Sequence, residues 1–175
     1  MKIDSITLHH ISMPLTAPFE TSFGRETDRQ CVIIQIHSEG LIGYGECVAT
    51  RDPGYNYETT GTAVHILKDF VAPLILGKDV KDALDFQEKI SGIRGHHLAK
   101  AGVEMAIWDL LGKRAGKSLR ELLGGAREKV EVGVSIGIQE SAQGLVRSAA
   151  DYVKQGYARV KIKIKPGRDI EDASA

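Results

Sequence analysis

The chain has 175 residues, 42% hydrophobic and 26% charged, a composition that fits a folded globular protein and excludes a disordered or membrane-embedded one. Lys plus Arg and Asp plus Glu number 23 each, so no global field draws the chain to nucleic acid or to an anionic membrane surface. No apolar run reaches the ~20 residues that span a bilayer, and the N-terminus lacks the basic-then-apolar layout of a signal peptide, which points to a cytoplasmic protein.

In chain order, residues 2–11 are β-rich and predict a first strand. Residues 13–28, with Pro14, Pro18 and Gly24, read as a long loop. Residues 31–37 alternate Cys/Ile/Gln/His with Val/Ile/Ile, and Ser38-Glu39-Gly40 turns the chain into a partner strand over 41–47, a hairpin. Cys31 and Cys47 fall in these strands without metal-ligand spacing. A disulfide between them stays open, whereas a reducing cytoplasm favours two buried thiols. Residues 49–57 are irregular. An apolar stripe over 59–76 predicts a helix that Pro73 bends or ends. A shorter helix over 80–90 has Asp79 as its expected N-cap. Residues 97–113 are apolar on most sides, as in a helix sandwiched between two layers at a domain junction. Ser118-Leu119-Arg120-Glu121 is a capping box for one further short helix, stopped by Gly124-Gly125.

The periodicity then changes to strand, helix, strand over 130–138, 141–155 and 159–165, a β-α-β unit with parallel strands and a right-handed crossover. On the first strand Glu131, Gly133, Ser135 and Gly137 share one face. On the second, Val160, Ile162 and Ile164 share a β-branched face, while Arg159, Lys161, Lys163 and Lys165 project from the other, roughly 7 Å apart. Nearby like charge favours a neutral amine, and a neutral lysine can take a proton from carbon. The plainer reading is an edge strand whose lysines prevent aggregation. Residues 169–175 look like the start of a helix that does not complete. Outside this unit, His9, His10, His37 and His65 read as structural or solvated, and Glu104 and Asp109 as salt-bridging or capping groups. His96-His97 carries no metal-binding expectation.

Four stretches occur in order over essentially the whole chain: Pro18-Phe19-Glu20-Thr21-Ser22-Phe23-Gly24, Gly40-Leu41-Ile42-Gly43-Tyr44-Gly45-Glu46, Ala99-Lys100-Ala101-Gly102-Val103-Glu104-Met105-Ala106-Ile107-Trp108-Asp109-Leu110, and Lys161-Ile162-Lys163. The set resembles the N-terminal half of the enolase superfamily, within its muconate-lactonizing subgroup. More narrowly, it is similar to the branch of N-acylamino acid racemases and o-succinylbenzoate synthases.

The resemblance implies an α+β capping domain over residues 1–128, an antiparallel sheet plus a helical bundle. The first β-α-β of an incomplete (β/α) barrel follows over 129–175. It implies a small carboxylate substrate, a divalent metal, usually magnesium, and removal of an α-proton. Lys163 falls where the family places the proton-transferring lysine and Lys161 where a supporting charge stands; Lys165, before Pro166, is assigned no catalytic role. Phe19, Ser22 and Phe23 lie in the loop that contributes to substrate selection, and Ser135 is a candidate substrate contact. The family's acidic metal ligands and second lysine base lie on later strands that this chain lacks, so the chain alone is expected to be inactive and not to bind the metal. Three readings follow: part of a longer enzyme, one half of a split enzyme completed by a partner chain, or a non-catalytic protein that self-associates. The resemblance leaves racemisation and o-succinylbenzoate formation both open, and resembles dipeptide epimerisation less.

Overall fold

Three strands open the chain in the computed structural model, which describes residues 1–22 and 24–175. They are β1 (Ser5–Thr21), β2 (Gly24–Ser38) and β3 (Leu41–Cys47), hydrogen-bonded in the order β1-β2-β3. The loop expected over 13–28 is therefore mostly strand. β1 is an edge strand, and an edge tolerates Pro14 and Pro18 because one row of its N–H groups has no ladder partner. Side chains tie it to its neighbour: His9 Nε2 lies 3.1 Å from Gln35 Oε1, and His10 Nε2 lies 3.3 Å from Gln30 Oε1. The β2–β3 hairpin forms as expected. Its two turn residues, Glu39 and Gly40, have φ of 51° and 82°, the left-handed pair that suits strand twist, with Ser38 opposite Leu41.

The chain divides into two compact units, Met1–Met13 with Arg29–Ala126, and Pro14–Asp28 with Arg127–Ala175. In the first, β2 buries Val32, Ile34 and Ile36 completely. The helices are α1 (Thr60–Ile66), a π-helical turn (Leu67–Val71), α2 (Ala72–Ile75), α3 (Ala83–Lys89), α4 (His97–Ala115) and α5 (Leu119–Leu122). The expected 59–76 helix is interrupted by the π-helical turn just before Pro73. The preceding turn widens so that Ala72 N–H reaches back to Leu67 O, and Pro73 then occupies the first turn of α2, where a missing N–H has no cost. The next helix starts three residues later than expected, and its N-cap is Asp82, not Asp79: Asp82 Oδ1 accepts from Asp85 N at 2.9 Å. Val80 is instead held by its N–H to Met1 O at 2.9 Å.

α4 packs against β3 through backbone. A Cβ on Gly45 would lie 1.9 Å from Gly102 O, and one on Gly43 would lie 2.3 Å from Ala106 O. These small residues let the helix rest on the strand at a separation no side chain permits. The N-terminus of α4 is capped from a distance. Its N-cap, His96, is left-handed and makes no side-chain cap, while Glu58, 1% exposed, accepts from Leu98 N at 2.9 Å and Ala99 N at 3.0 Å. The Ser118–Glu121 capping box forms as expected. Phe86, Ile3, Ile75, Ile107 and Leu110 complete the core. Cys31 and Cys47 are both buried and free, and burial pushes both thiols above their ordinary pKa.

In the second unit, β4 (Val134–Ile136), α6 (Ala142–Lys154), β5 (Val160–Ile162) and α7 (Asp169–Ser174) follow one another. β4 and β5 pair in parallel, with Val134 opposite Val160, Ser135 opposite Lys161 and Ile136 opposite Ile162. Both strands are much shorter than the expected 130–138 and 159–165, since the ladder holds for three residue pairs only. α6 starts after Ser141, whose hydroxyl accepts from Gly144 N at 3.1 Å, and packs on both strands. The terminal helix that was expected not to complete does form. Asp169, Glu171 and Asp172 lie in its first turn, where negative charge suits a helix N-terminus, and Arg168 Nη2 binds Asp172 Oδ1 at 2.7 Å.

Candidate active site

Phe19, Ser22, Ser135, Lys161 and Lys163 all lie in the second unit. The register of β4 and β5 sets Ser135 beside Lys161 on one face, and both are exposed. Lys163 is the first residue past β5 and is half-buried; its N–H still donates to Ile136 O at 3.0 Å, which holds the backbone in strand direction. The apolar residues of both strands turn to α6, so the lysine-bearing face is the one opposite the helix.

The end of β1 supplies the other wall. Phe19 places its ring under the Lys163 ammonium, with Nζ 4.3 Å from the ring centroid, well inside the range of cation–π attraction. Its ring edge also lies 3.5 Å from where a Cβ on Gly137 would stand. Glu20, the next residue, binds Lys165: Nζ donates to Oε1 at 2.9 Å, with both side chains about one-third exposed, 32% and 33%. The hydrogen bond from Lys165 and its positive charge hold the Glu20 carboxyl below the usual glutamate range, with smaller help from Arg25 and Arg168. Ile138 N–H donates to Glu20 O at 3.3 Å, fixing β1's end to the residues after β4.

The structure thus brings Phe19 to Lys163 and Ser135 to Lys161. Ser22 is exposed in the turn after β1, and Phe23 lies outside the described residues. Sequence reasoning missed Glu20 and Lys165 as a pair; a carboxylate and an amine 145 residues apart give no local signal. A nearby cleft of about 360 Å³ is lined by Ala17, Pro18, Glu20, Arg25, Gln139 and Arg147, but by neither Lys161 nor Lys163. Asp109 accepts from Lys113 Nζ at 2.6 Å, the salt bridge expected of it, whereas Glu104 accepts from the neutral Gln87 Nε2 at 2.9 Å and, among the described residues, forms neither a salt bridge nor a cap. Among the described residues no three His, Cys, Asp or Glu side chains converge to hold a metal ion, so the residues present do not fit the magnesium that the family resemblance implies. No helix among them is long and apolar enough to cross a membrane.

Comparison with known proteins gives the family of the chain. The profile of the mandelate racemase / muconate lactonizing enzyme N-terminal domain matches residues 3–124. The chain is 41% identical over 172 residues to an o-succinylbenzoate synthase from Geobacillus kaustophilus, covering 98% of this chain and 46% of that protein. It is 42% identical over 171 residues to an N-succinylamino acid racemase from Thermus thermophilus, again covering 98% of this chain and 46% of the relative. A solved enolase-superfamily member from Listeria innocua superposes with a TM-score of 0.92 at 39% identity, covering 99% of this chain and 47% of that one. The chain spans about half the length of the curated relatives it matches.

Proposed function

We propose, since the chain belongs to the mandelate racemase / muconate lactonizing enzyme family of the enolase superfamily, that it is the capping domain and first barrel strands of an enzyme that removes an α-proton from a small carboxylate. Residues 1–128 form the cap and 129–175 the barrel segment. The reaction is racemisation of an N-succinylated amino acid or formation of o-succinylbenzoate, the activities that name the relatives about 40% identical to this chain.

The observation that carries this reading is the lysine pair at the end of β5, with Ser135 in register beside Lys161. A proton α to a carboxylate is very weakly acidic, so its removal needs a base held close and positive charge where the electron pair goes. Lys163 as the free amine takes the proton from the α-carbon, and the C–H electron pair delocalises onto the carboxylate. Lys161 faces that carboxylate with its ammonium and stabilises the added charge. In o-succinylbenzoate formation Lys163, now an ammonium, passes the proton to the departing hydroxyl, which leaves as water; in racemisation a second acid, outside these residues, protonates the α-carbon on the opposite face. Ser135 contributes a hydroxyl contact to the substrate, and Phe19 and Ser22, at the end of β1 and in the turn after it, take part in substrate selection.

The described residues supply no donor set for the metal, so no step here passes through one. On this reading the 175 residues alone are inert, and residues outside them, in the same or a partner polypeptide, complete the centre. In a polypeptide carrying the complete barrel, Lys163→Ala should slow α-proton exchange into D2O from an N-succinyl amino acid, and o-succinylbenzoate formation, by at least about 100-fold, the usual share of a general base. Exchange and turnover unchanged in that variant would overturn the assignment.

A further inference from the structure

We propose that the Glu20–Lys165 ion pair is a latch that seats the Phe19 ring on the Lys163 ammonium, which makes Glu20, Lys165 and Phe19 positioning residues for Lys163. Phe19 and Glu20 are consecutive, and Lys163 and Lys165 are two apart on the same face, so the 2.9 Å ion pair fixes the register in which the ring meets Nζ at 4.3 Å. The backbone bond from Ile138 N to Glu20 O, 3.3 Å, serves the same placement. An ion pair one-third exposed adds little stability by itself. Its effect here is geometric: it ties the Lys165 stem to Glu20 and so holds the adjacent Phe19 ring against the Lys163 ammonium. With the latch closed the amine is covered and aimed; with it open the amine is free to turn into water. The bearing of this latch on catalysis rests on Lys163 being the base, whereas the seating does not.

The test is pulsed acetylation of the 175-residue chain with acetic anhydride, read by peptide mass mapping as the ratio of Lys163 to Lys154, whose side chain is 78% exposed. Glu20→Gln and Lys165→Gln should each raise this ratio about two- to five-fold, in keeping with the modest strength of an exposed pair. Phe19→Leu should raise it with the ion pair intact. Lys165→Arg, and the charge-reversed double variant Glu20→Lys/Lys165→Glu, should restore the original ratio. A ratio unmoved by both glutamine variants, or a change that neither rescue reverses, would overturn the latch. A measurement without mutation guards against misfolded variants: in the unmodified chain the Lys163 Hε protons should be shifted upfield of those of Lys161 by the Phe19 ring current, and coincident shifts would also overturn it. An unmoved ratio leaves Lys163 free to be the base, and an active Lys163→Ala enzyme leaves the labelling result in place, so the two readings fail separately.

Discussion

Glu20 gives up its proton more readily than an ordinary glutamate because Lys165 bonds to the charged form and attracts it. A folded-state pKa below the unfolded one means the ion pair's contribution is complete above the unfolded value, roughly 4.3, and is lost as pH falls through the lower, folded value. The ring-current shift of Lys163 should therefore hold constant from neutral pH down to that region and collapse below it. A collapse well above it would mean that a different group controls the seating. At this scale the sequence told part of the story. The alternation of residues 159–165 placed Lys161 and Lys163 on one face, because strand periodicity is local. It was silent on Glu20 and Lys165, and on Glu58, whose two bonds to the start of α4 span 40 and 41 residues.

At the scale of elements, the closest contact is that of β3 with α4. A methyl on Gly45 would meet the Gly102 carbonyl at 1.9 Å, and that partner is backbone, which has no rotamer to yield. Gly45→Ala should accordingly destabilise the chain by about 1–3 kcal/mol, the usual range for overpacking, as a lower urea midpoint at unchanged slope. Gly137→Ala, whose new methyl would touch Phe19 Cδ2 at an ordinary 3.5 Å, should leave the midpoint within about 0.5 kcal/mol. Equal effects at both glycines would refute this account of the packing. The long apolar run of α4, the hairpin turn and the Ser118 capping box were legible because each is written in neighbouring residues. The strand character of residues 13–21 and 24–28 was not. Proline and glycine mark turns in most contexts, and only the edge position of β1 makes Pro14 and Pro18 harmless. The π-helical turn before Pro73 was hidden for a related reason: a widened turn leaves no signature in the apolar stripe.

Considering the whole molecule, the two units differ in how much core each owns. The first buries a continuous cluster that includes Ile3, Ile34, Ile36, Phe86, Ile107 and Leu110. The buried apolar side chains described in the second are Ile136, Ile138, Ala142 and Leu145. Local opening free energies follow such differences in buried apolar contact. The amides of Val134 and Leu145 should exchange with deuterium at least about ten-fold faster than those of Ile34 and Leu110, a gap of roughly 1.4 kcal/mol. Equal protection would show a single cooperative unit.

The second unit also draws on the two extremes of the chain. Glu20 emerges from the ribosome 145 residues ahead of the lysine it binds. At translation rates of about 5–20 residues per second, it waits roughly 7–30 s for that partner. In that interval a nascent strand tip carrying Pro18, Phe19 and Glu20 stands without the residues that later hold it, and chaperones, or other nascent chains on the same message, meet it in that state.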